Sequence, residues 1–156
     1  MPSFPFKNLF RDKSFRVALI AALPVWLALY FLLPTPAPSI WFVQTSKAFL
    51  FFLLPVIVYP VLEEFAFRGL LQETFFAQTW GKKNWLNISL ANLLTSVLFV
   101  LAHFFYHQPL WALSVFIPSL VFGFFRDKYQ SVIPSILLHI FYNFGYIWLF
   151  GKPSGA

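Results

Sequence analysis

Three short stretches of the chain place acid, base and amide side chains at helical spacing. They are EEFAFR at residues 63–68, FVLAH at 99–103 and HIFYN at 139–143. Attack of water on a peptide bond needs a base that takes a proton from the water and donors that face the developing negative charge. The chain has no cysteine, which excludes a thiol nucleophile, disulfides and thiolate metal ligands. Carboxylates and imidazoles are therefore the groups left to do any chemistry.

The first stretch contains two adjacent carboxylates with different expected roles. Neighbouring residues on a helix point about 100 degrees apart, so Glu63 and Glu64 face different surroundings. Arg68 follows Glu64 by four residues, in the acid-then-base order that pairs well on a helix, whereas Phe67 is the residue four positions after Glu63. We therefore expect Glu64 to pair with Arg68 and Glu63 to be suited to a general base. The alternative is that both acids lie at a membrane interface.

Two further segments each carry a polar stripe that includes a histidine. The stripes are Asn92, Ser96, Phe99 and His103 on one segment and Ser135, His139 and Asn143 on another. Their spacing puts each set on one face of a helix. Such residues can also simply form hydrogen bonds between or within membrane helices, so a structural role for each stripe stays open at this point.

The composition decides the class of protein that must position these residues. Of 156 residues, 60% are hydrophobic and 10% are charged, whereas soluble domains carry about 25% charge. This excludes a water-soluble globule, a disordered chain and a coiled coil. The net charge of +6 comes from basic residues scattered between apolar runs, and without a dense patch we expect no nucleic-acid binding.

The apolar runs predict an all-α, polytopic membrane helix bundle with five transmembrane helices, since one crossing takes about 20 apolar residues. We predict spans at 17–33, 41–62, 86–105, 110–125 and 132–150. The second is expected to be long and kinked, because it contains Pro55 and Pro60 and its helical pattern continues to residue 78. Residues 34–39, 106–109 and 126–131 are expected loops. We expect one integral membrane domain over 1–156, with a motif-bearing core at about 55–148.

Basic residues indicate the orientation of these helices. Lysine and arginine are concentrated before residue 17, in the turn at 79–84 and in the loop at 126–131, which predicts a cytoplasmic N-terminus. The first apolar run is longer than the ~7 to 15 residues of a cleaved signal peptide, so we expect it to be retained. Elsewhere, Lys47 is expected to snorkel to the headgroups and His107 to lie in a loop beside Pro109.

The turn at 79–84 also predicts which residues lie at the same depth. If it closes a helical hairpin, Glu63 and His103 are each about twenty residues from it, or about 30 Å at 1.5 Å per residue. We therefore expect them to lie level with one another.

Taken together, the three stretches resemble the motifs of the CPBP glutamic intramembrane proteases, which include the CAAX prenyl endopeptidases and carry the so-called ABI domain. The EExxxR motif is present at residues 63–68, FxxxH at 99–103 and HxxxN at 139–143. The resemblance covers about residues 55–148. It implies a plasma (inner) membrane protein of a prokaryote, like the small bacterial members of the family.

The resemblance implies a role for each motif residue. Glu63 would be the general base on a water that His103 holds and polarises. His139 and Asn143 would stabilise the oxyanion, while Glu64 and Arg68 would brace the site.

The implied substrate is a membrane-tethered protein or peptide cut near its C-terminus. It would carry either a prenylated CAAX-like tail or a C-terminal sorting segment, and the lipid bilayer is the other expected partner. We expect no cofactor and no metal, because the histidines lie on different segments without an HExxH pair. Two alternatives are a non-catalytic relative, such as a bacteriocin self-immunity protein or scaffold, and a transporter or proton relay, which five spans without a repeat disfavour.

Overall fold

The computed structural model describes residues 6–32 and 46–150, and these form helices and one short β-hairpin. The predicted loop at 34–39, the start of the second predicted span and the tail at 151–156 lie outside the described residues. The described segments are, in chain order, α1 Phe6–Leu9, α2 Lys13–Leu32, α3 Ser46–Leu53, the π-helical segment π1 Leu54–Val58, α4 Tyr59–Glu64, the π-helical segment π2 Phe65–Gln72, α5 Glu73–Ala77, β1 Asn84–Trp85, β2 Ile88–Ser89, α6 Leu90–His103, α7 Pro109–Ser114, α8 Phe116–Tyr129 and α9 Ile133–Phe150. The all-α prediction is confirmed.

Within residues 6–32 and 46–150, four helical segments are long and apolar enough to cross a membrane. They are Lys13–Phe31, Phe49–Ala77, Pro109–Tyr129 and Ile133–Phe150. Multiple apolar helices of this length make the chain an integral membrane protein. Among the described residues, α6 is apolar but has only 14 residues, so it falls short of the span length that the sequence suggested for this segment.

The helical run 46–77 is the predicted long, bent second helix. It contains two π-helical segments, π1 and π2. Pro55 lies in the first turn of π1, and a proline ring cannot fit against the carbonyl of the preceding α-helical turn. A local widening to π geometry accommodates it, and such segments are common at functional sites. The EEFAFR motif lies at the junction of α4 and π2.

The predicted start of the third span, at residue 86, was wrong, because residues 84–89 fold into a hairpin. Asn84 pairs with Ser89 and Trp85 with Ile88. The two residues between the strands, Leu86 and Asn87, have φ angles of 50° and 65°, as a type I′ turn requires. Helix α6 then begins at Leu90, and the Ser89 hydroxyl caps it by accepting from the Asn92 N–H at 2.9 Å. The helix is shortened because the hairpin uses the residues that would have formed its first turn.

The predicted charged loop at 126–131 was also wrong at its start. Helix α8 continues to Tyr129 and ends at Gln130, whose φ is 49°. Arg126 is 1% exposed, and it forms ion pairs with Glu73 and Asp127. Because these partners compensate its charge, the Arg126 side chain can stay buried and the residue can remain in the helix instead of forming a solvent-exposed loop.

The chain divides into two compact units, residues 1–61 with 138–156, and residues 62–137. In the first unit, Phe52 and Val56 are buried, and Ile140, Ile147 and Trp148 of α9 pack against them. These contacts join the start of the long helix to α9.

Helix α2 is held in the first unit by contacts with α9. The Tyr142 hydroxyl donates to the Ala18 carbonyl at 2.8 Å. The Trp26 ring lies so close to Gly145 that a Cβ there would be 2.1 Å from its Cζ2 atom. A side chain at residue 145 would therefore separate the two helices.

In the second unit, α8 packs closely on α6 and π2 at Gly123. A Cβ at this position would lie 1.9 Å from the Asn92 Oδ1 and 2.9 Å from the Gln72 Oε1. The Asn92 amide donates to the Leu120 carbonyl at 2.9 Å, and the Gln72 amide donates to the Gly123 carbonyl at 2.9 Å. The missing side chain of Gly123 thus lets two polar side chains reach the backbone of α8.

We predict that Gly123→Ala lowers the free energy of unfolding by about 1 to 3 kcal/mol, the usual cost of overpacking, because the new methyl group displaces Asn92 and Gln72. Thermal unfolding of the purified protein in detergent measures this. Gly69→Ala is the matched control, since the nearest atom to a Cβ at residue 69 is the Val132 Cγ1 at 3.5 Å. Equal melting temperatures for the two variants would contradict the close approach at Gly123.

Candidate functional site

The two carboxylates of the first motif have different environments. Glu64 at the end of α4 and Arg68 in π2 are both fully buried, and the Arg68 Nε lies 3.2 Å from the Glu64 Oε2. Glu63 is half-buried. A buried charge is tolerated only when it is paired, so Glu64 and Arg68 depend on each other, and the pairing expected from their spacing is present.

Arg68 also connects the first motif to two other helices. Its Nη2 donates to the Ser119 carbonyl at 2.9 Å and to the Ser119 hydroxyl at 2.6 Å. The guanidinium lies over the rings of Phe99 and Phe122, at 4.7 and 5.7 Å from their centroids. Cation–π contacts are strongest where water is excluded. Arg68 therefore joins π2, α6 and α8 at one buried point.

Phe99 of the second motif lies between Arg68 and His103. The phenyl ring is 2% exposed, and its centroid is 4.4 Å from that of the His103 imidazole. The His103 Nδ1 is 2.9 Å from the Phe99 carbonyl oxygen. Since a carbonyl only accepts, Nδ1 carries the hydrogen, and the neutral ring then has its lone pair on Nε2. The spacing of the FxxxH motif thus sets the tautomer of its histidine.

Contact between Phe67 and Phe99 gives the register of the two helices. The ring centroids are 5.0 Å apart in an edge-to-face arrangement. Glu63 precedes Phe67 by four residues and His103 follows Phe99 by four, so each lies one helical turn beyond this contact. Helix α6 has 14 residues and spans about 20 Å, so this arm is not the run of twenty helical residues that the expected depth assumed.

The third motif lies on α9, in the other compact unit. His139 is 6% exposed, and Asn143, half-buried, follows one turn later. The Asn143 Nδ2 donates to the Pro55 carbonyl at 2.9 Å. In π1 the Leu54 carbonyl accepts from the Tyr59 N–H, five residues ahead. The equivalent partner of the Pro55 carbonyl would be residue 60, a proline without an N–H. The Asn143 amide supplies the missing donor.

The candidate residues therefore divide between the two units. Glu63, Glu64, Arg68 and His103 belong to residues 62–137, and the third motif belongs to the unit formed by 1–61 and 138–156. Among the described residues, no group of three or more His, Cys, Asp or Glu side chains could hold one metal ion. The first unit contributes an imidazole and an amide to the candidate residues, and the second unit contributes carboxylates, an imidazole and a guanidinium.

Comparison with known proteins identifies the family to which the chain belongs. A family model described as "Type II CAAX prenyl endopeptidase Rce1-like" matches residues 45–145. The chain belongs to this Rce1-like family. The matched region contains all three motifs. No curated protein and no solved structure gives a significant match.

The polar stripes of this Rce1-like chain also bind backbone groups, as the structural alternative suggested. The Ser96 hydroxyl donates to the Asn92 Oδ1 at 3.1 Å, and the Asn92 amide reaches the α8 backbone. The Ser135 hydroxyl donates to the Phe122 carbonyl at 2.7 Å. These members of the stripes hold helices together.

Sequence reasoning missed a polar network at the C-terminal end of α8. The Gln72 amide donates to the Asp127 Oδ1 at 2.9 Å, and the Ser89 hydroxyl donates to the Asp127 Oδ2 at 2.5 Å. Arg126, which binds Glu73 and Asp127, completes the network. The signal in the sequence was the four-residue spacing of residues 119, 123 and 127, which puts Ser, Gly and Asp on one face of α8.

For the buried ion pair we predict that Arg68→Met lowers the free energy of unfolding by about 3 to 5 kcal/mol, because it leaves the Glu64 carboxylate buried without its cation. Adding Glu64→Gln should recover part of this loss, since no charge then remains unpaired. Thermal unfolding of the single and double variants in detergent gives the coupling. Strictly additive losses would contradict a direct pair.

A second cycle tests the role of Asn143. We predict that Asn143→Leu costs about 1 to 3 kcal/mol of stability, the usual cost of leaving a buried carbonyl without its donor. In a Pro60→Ala background the same change should cost less, because residue 60 then has an N–H for the Pro55 carbonyl. Melting temperatures of the four proteins measure this. An equal cost in both backgrounds would count against the missing proline donor as the reason for the contact.

Proposed function

We propose that the protein is an intramembrane endopeptidase that hydrolyses a peptide bond near the C-terminus of a membrane-tethered substrate, with Glu63 and His103 activating the attacking water. Membership of the Rce1-like family supports a CAAX-type intramembrane protease. The observation that carries the residue roles is the position of Phe99 between Arg68 and His103, since this contact joins the first two motifs in one unit.

Glu63 is proposed as the general base. Its neighbour Glu64 is buried against Arg68, whereas Glu63 is half-buried. This difference supports Glu63, rather than Glu64, as the carboxylate that acts on water. The carboxylate takes a proton from the water while the water oxygen bonds to the scissile carbonyl carbon. The proton then goes to the leaving nitrogen as the C–N bond breaks. This sequence balances without a covalent enzyme intermediate.

His103 is proposed to hold and orient that water. The hydrogen on Nδ1 is taken by the Phe99 carbonyl, so the lone pair of Nε2 can accept a hydrogen bond from a water molecule. An imidazole fixed in one tautomer needs no rearrangement before the reaction, which is how preorganised groups lower a barrier.

His139 and Asn143 are proposed to donate hydrogen bonds to the tetrahedral oxyanion. The Asn143 Nδ2 carries two hydrogens, and its contact with the Pro55 carbonyl takes one of them. That contact fixes the direction of the second hydrogen, which is the one proposed to face the oxyanion. Removing one donor of this kind costs about 100-fold to 1,000-fold in kcat.

The proposed substrate is a membrane-anchored protein with a C-terminal tail of the CAAX type, in agreement with the family description. A C-terminal sorting segment is the other substrate class. The bilayer is the second partner, and we propose that the reaction needs no metal.

We predict that Glu63→Gln lowers the rate of peptide cleavage about 100-fold to 10,000-fold, the usual contribution of a general base, with the melting temperature kept. The assay uses the purified full chain in liposomes with a quenched-fluorescence peptide that ends in a farnesylated CAAX sequence. A peptide that carries a C-terminal apolar sorting segment is run in parallel. Asp12→Asn is the control, because it makes the same carboxylate-to-amide change outside the three motifs, and the amide oxygen can still accept the Ser14 N–H that Asp12 binds.

A Glu63→Gln protein that cleaves as fast as the parent would contradict the proposal. So would loss of activity with a chelator that zinc restores. A parent protein that binds but cleaves neither peptide would favour the non-catalytic alternative.

A further inference from the structure

Four rings at four-residue intervals form a column that runs past the end of α6. The members of this aromatic column are Phe99, His103, His107 and Trp111. The centroid distances between successive rings are 4.4, 5.5 and 6.3 Å. The two imidazoles are close to parallel, with 22° between their planes. Exposure rises along the column from buried Phe99 to exposed His107.

The backbone fixes the position of His107 in this column. Its N–H donates to the His103 carbonyl at 3.0 Å, so the helical turn continues beyond the last residue of α6. Pro109 then begins α7, whose first turn is closed by the Ala112 N–H on the Gln108 carbonyl at 2.9 Å. His107 is therefore held between two helical turns, although the sequence suggested only a loop residue beside a proline.

The two residues before His107 in the chain do not take part in the stacking. Phe105 and Tyr106 are 83% and 87% exposed, and neither is part of the column. The same short segment thus presents two aromatic side chains to the surroundings and places the third against His103.

We propose that His107 is a positioning residue for His103: its ring stacks on the outer side of the His103 imidazole and keeps the Nδ1 hydrogen on the Phe99 carbonyl. This inference rests on the proposed function of His103 in holding the water. Without the His107 ring, the imidazole at the end of α6 can turn about its Cβ–Cγ bond, which exchanges the Nδ1 and Cδ2 positions and breaks the hydrogen bond. An aromatic contact of this kind is worth a factor of about 2 to 10 in population.

The test compares His107→Ala with His107→Phe, which restores a flat ring, and with Tyr106→Ala, which removes a neighbouring ring outside the column. The first readout is the tautomer of His103 from the ¹⁵N shifts of histidine-labelled full chain in detergent. The chain has three histidines, so the signals can be assigned by single substitutions. We expect the Nδ1–H tautomer to dominate in the parent, His107→Phe and Tyr106→Ala proteins, and a mixture in His107→Ala.

The second readout is cleavage of the farnesylated CAAX peptide. We expect kcat to fall about 2-fold to 10-fold in His107→Ala with KM and the melting temperature unchanged, and to be retained in the other two variants. An unchanged tautomer and kcat in His107→Ala would overturn the inference. Equal losses in His107→Ala and Tyr106→Ala would also overturn it, since the effect would then belong to the whole segment.

The outcome for His107 can be separated from the outcome for the proposed function. The tautomer is measured without any substrate, so it reports on the stacking even if the protein cleaves no peptide. Full activity in Glu63→Gln would reject the proposed base and leave the tautomer result standing.

Discussion

One buried guanidinium organises the second compact unit. Arg68 is fully buried, in a chain with few charged residues, and placing a charge in such surroundings is unfavourable unless its partners are fixed. Glu64 supplies the counter-charge, Ser119 two acceptors and Phe99 a π-face. Because these partners come from α4, α6 and α8, the helices can assemble in few ways that satisfy Arg68. The geometry of His103 follows from this, since its ring and its hydrogen bond both rest on Phe99.

In the first unit, a missing hydrogen-bond donor limits how the helices can pack. Pro60 cannot supply an N–H to the Pro55 carbonyl of the π-helical segment, and the Asn143 amide takes its place. An unsatisfied carbonyl in an apolar environment is costly. The hydrogen bond from Asn143 therefore stabilises the packing of α9 against the π-helical segment. In both units a residue of a family motif therefore stabilises the fold, and the same contact holds a proposed catalytic group in position.

The sequence predicted the features that depend on local spacing and composition. Apolar runs gave the membrane helices, and four-residue spacing gave the Glu64–Arg68 pair. It did not predict contacts between distant segments: Arg126 was placed in a loop because nothing near it in sequence shows that Glu73, 53 residues away, would pair with it. The hairpin at 84–89 was missed because its turn has Leu86 at positive φ, a conformation that leucine rarely adopts. The stacking of His107 on His103 was not predicted, because it depends on the path that the chain takes after α6.

The most direct test of the role of Arg68 is the exchange rate of its side-chain Nε proton with solvent, measured by NMR on ¹⁵N-arginine-labelled protein in detergent. Arg11 and Arg16, which are exposed, provide internal references. The buried pair predicts that the Arg68 proton exchanges far more slowly than the reference protons and that Glu64→Gln speeds its exchange. An Arg68 proton that exchanges as fast as those of Arg11 and Arg16 would contradict a buried guanidinium at the centre of this unit.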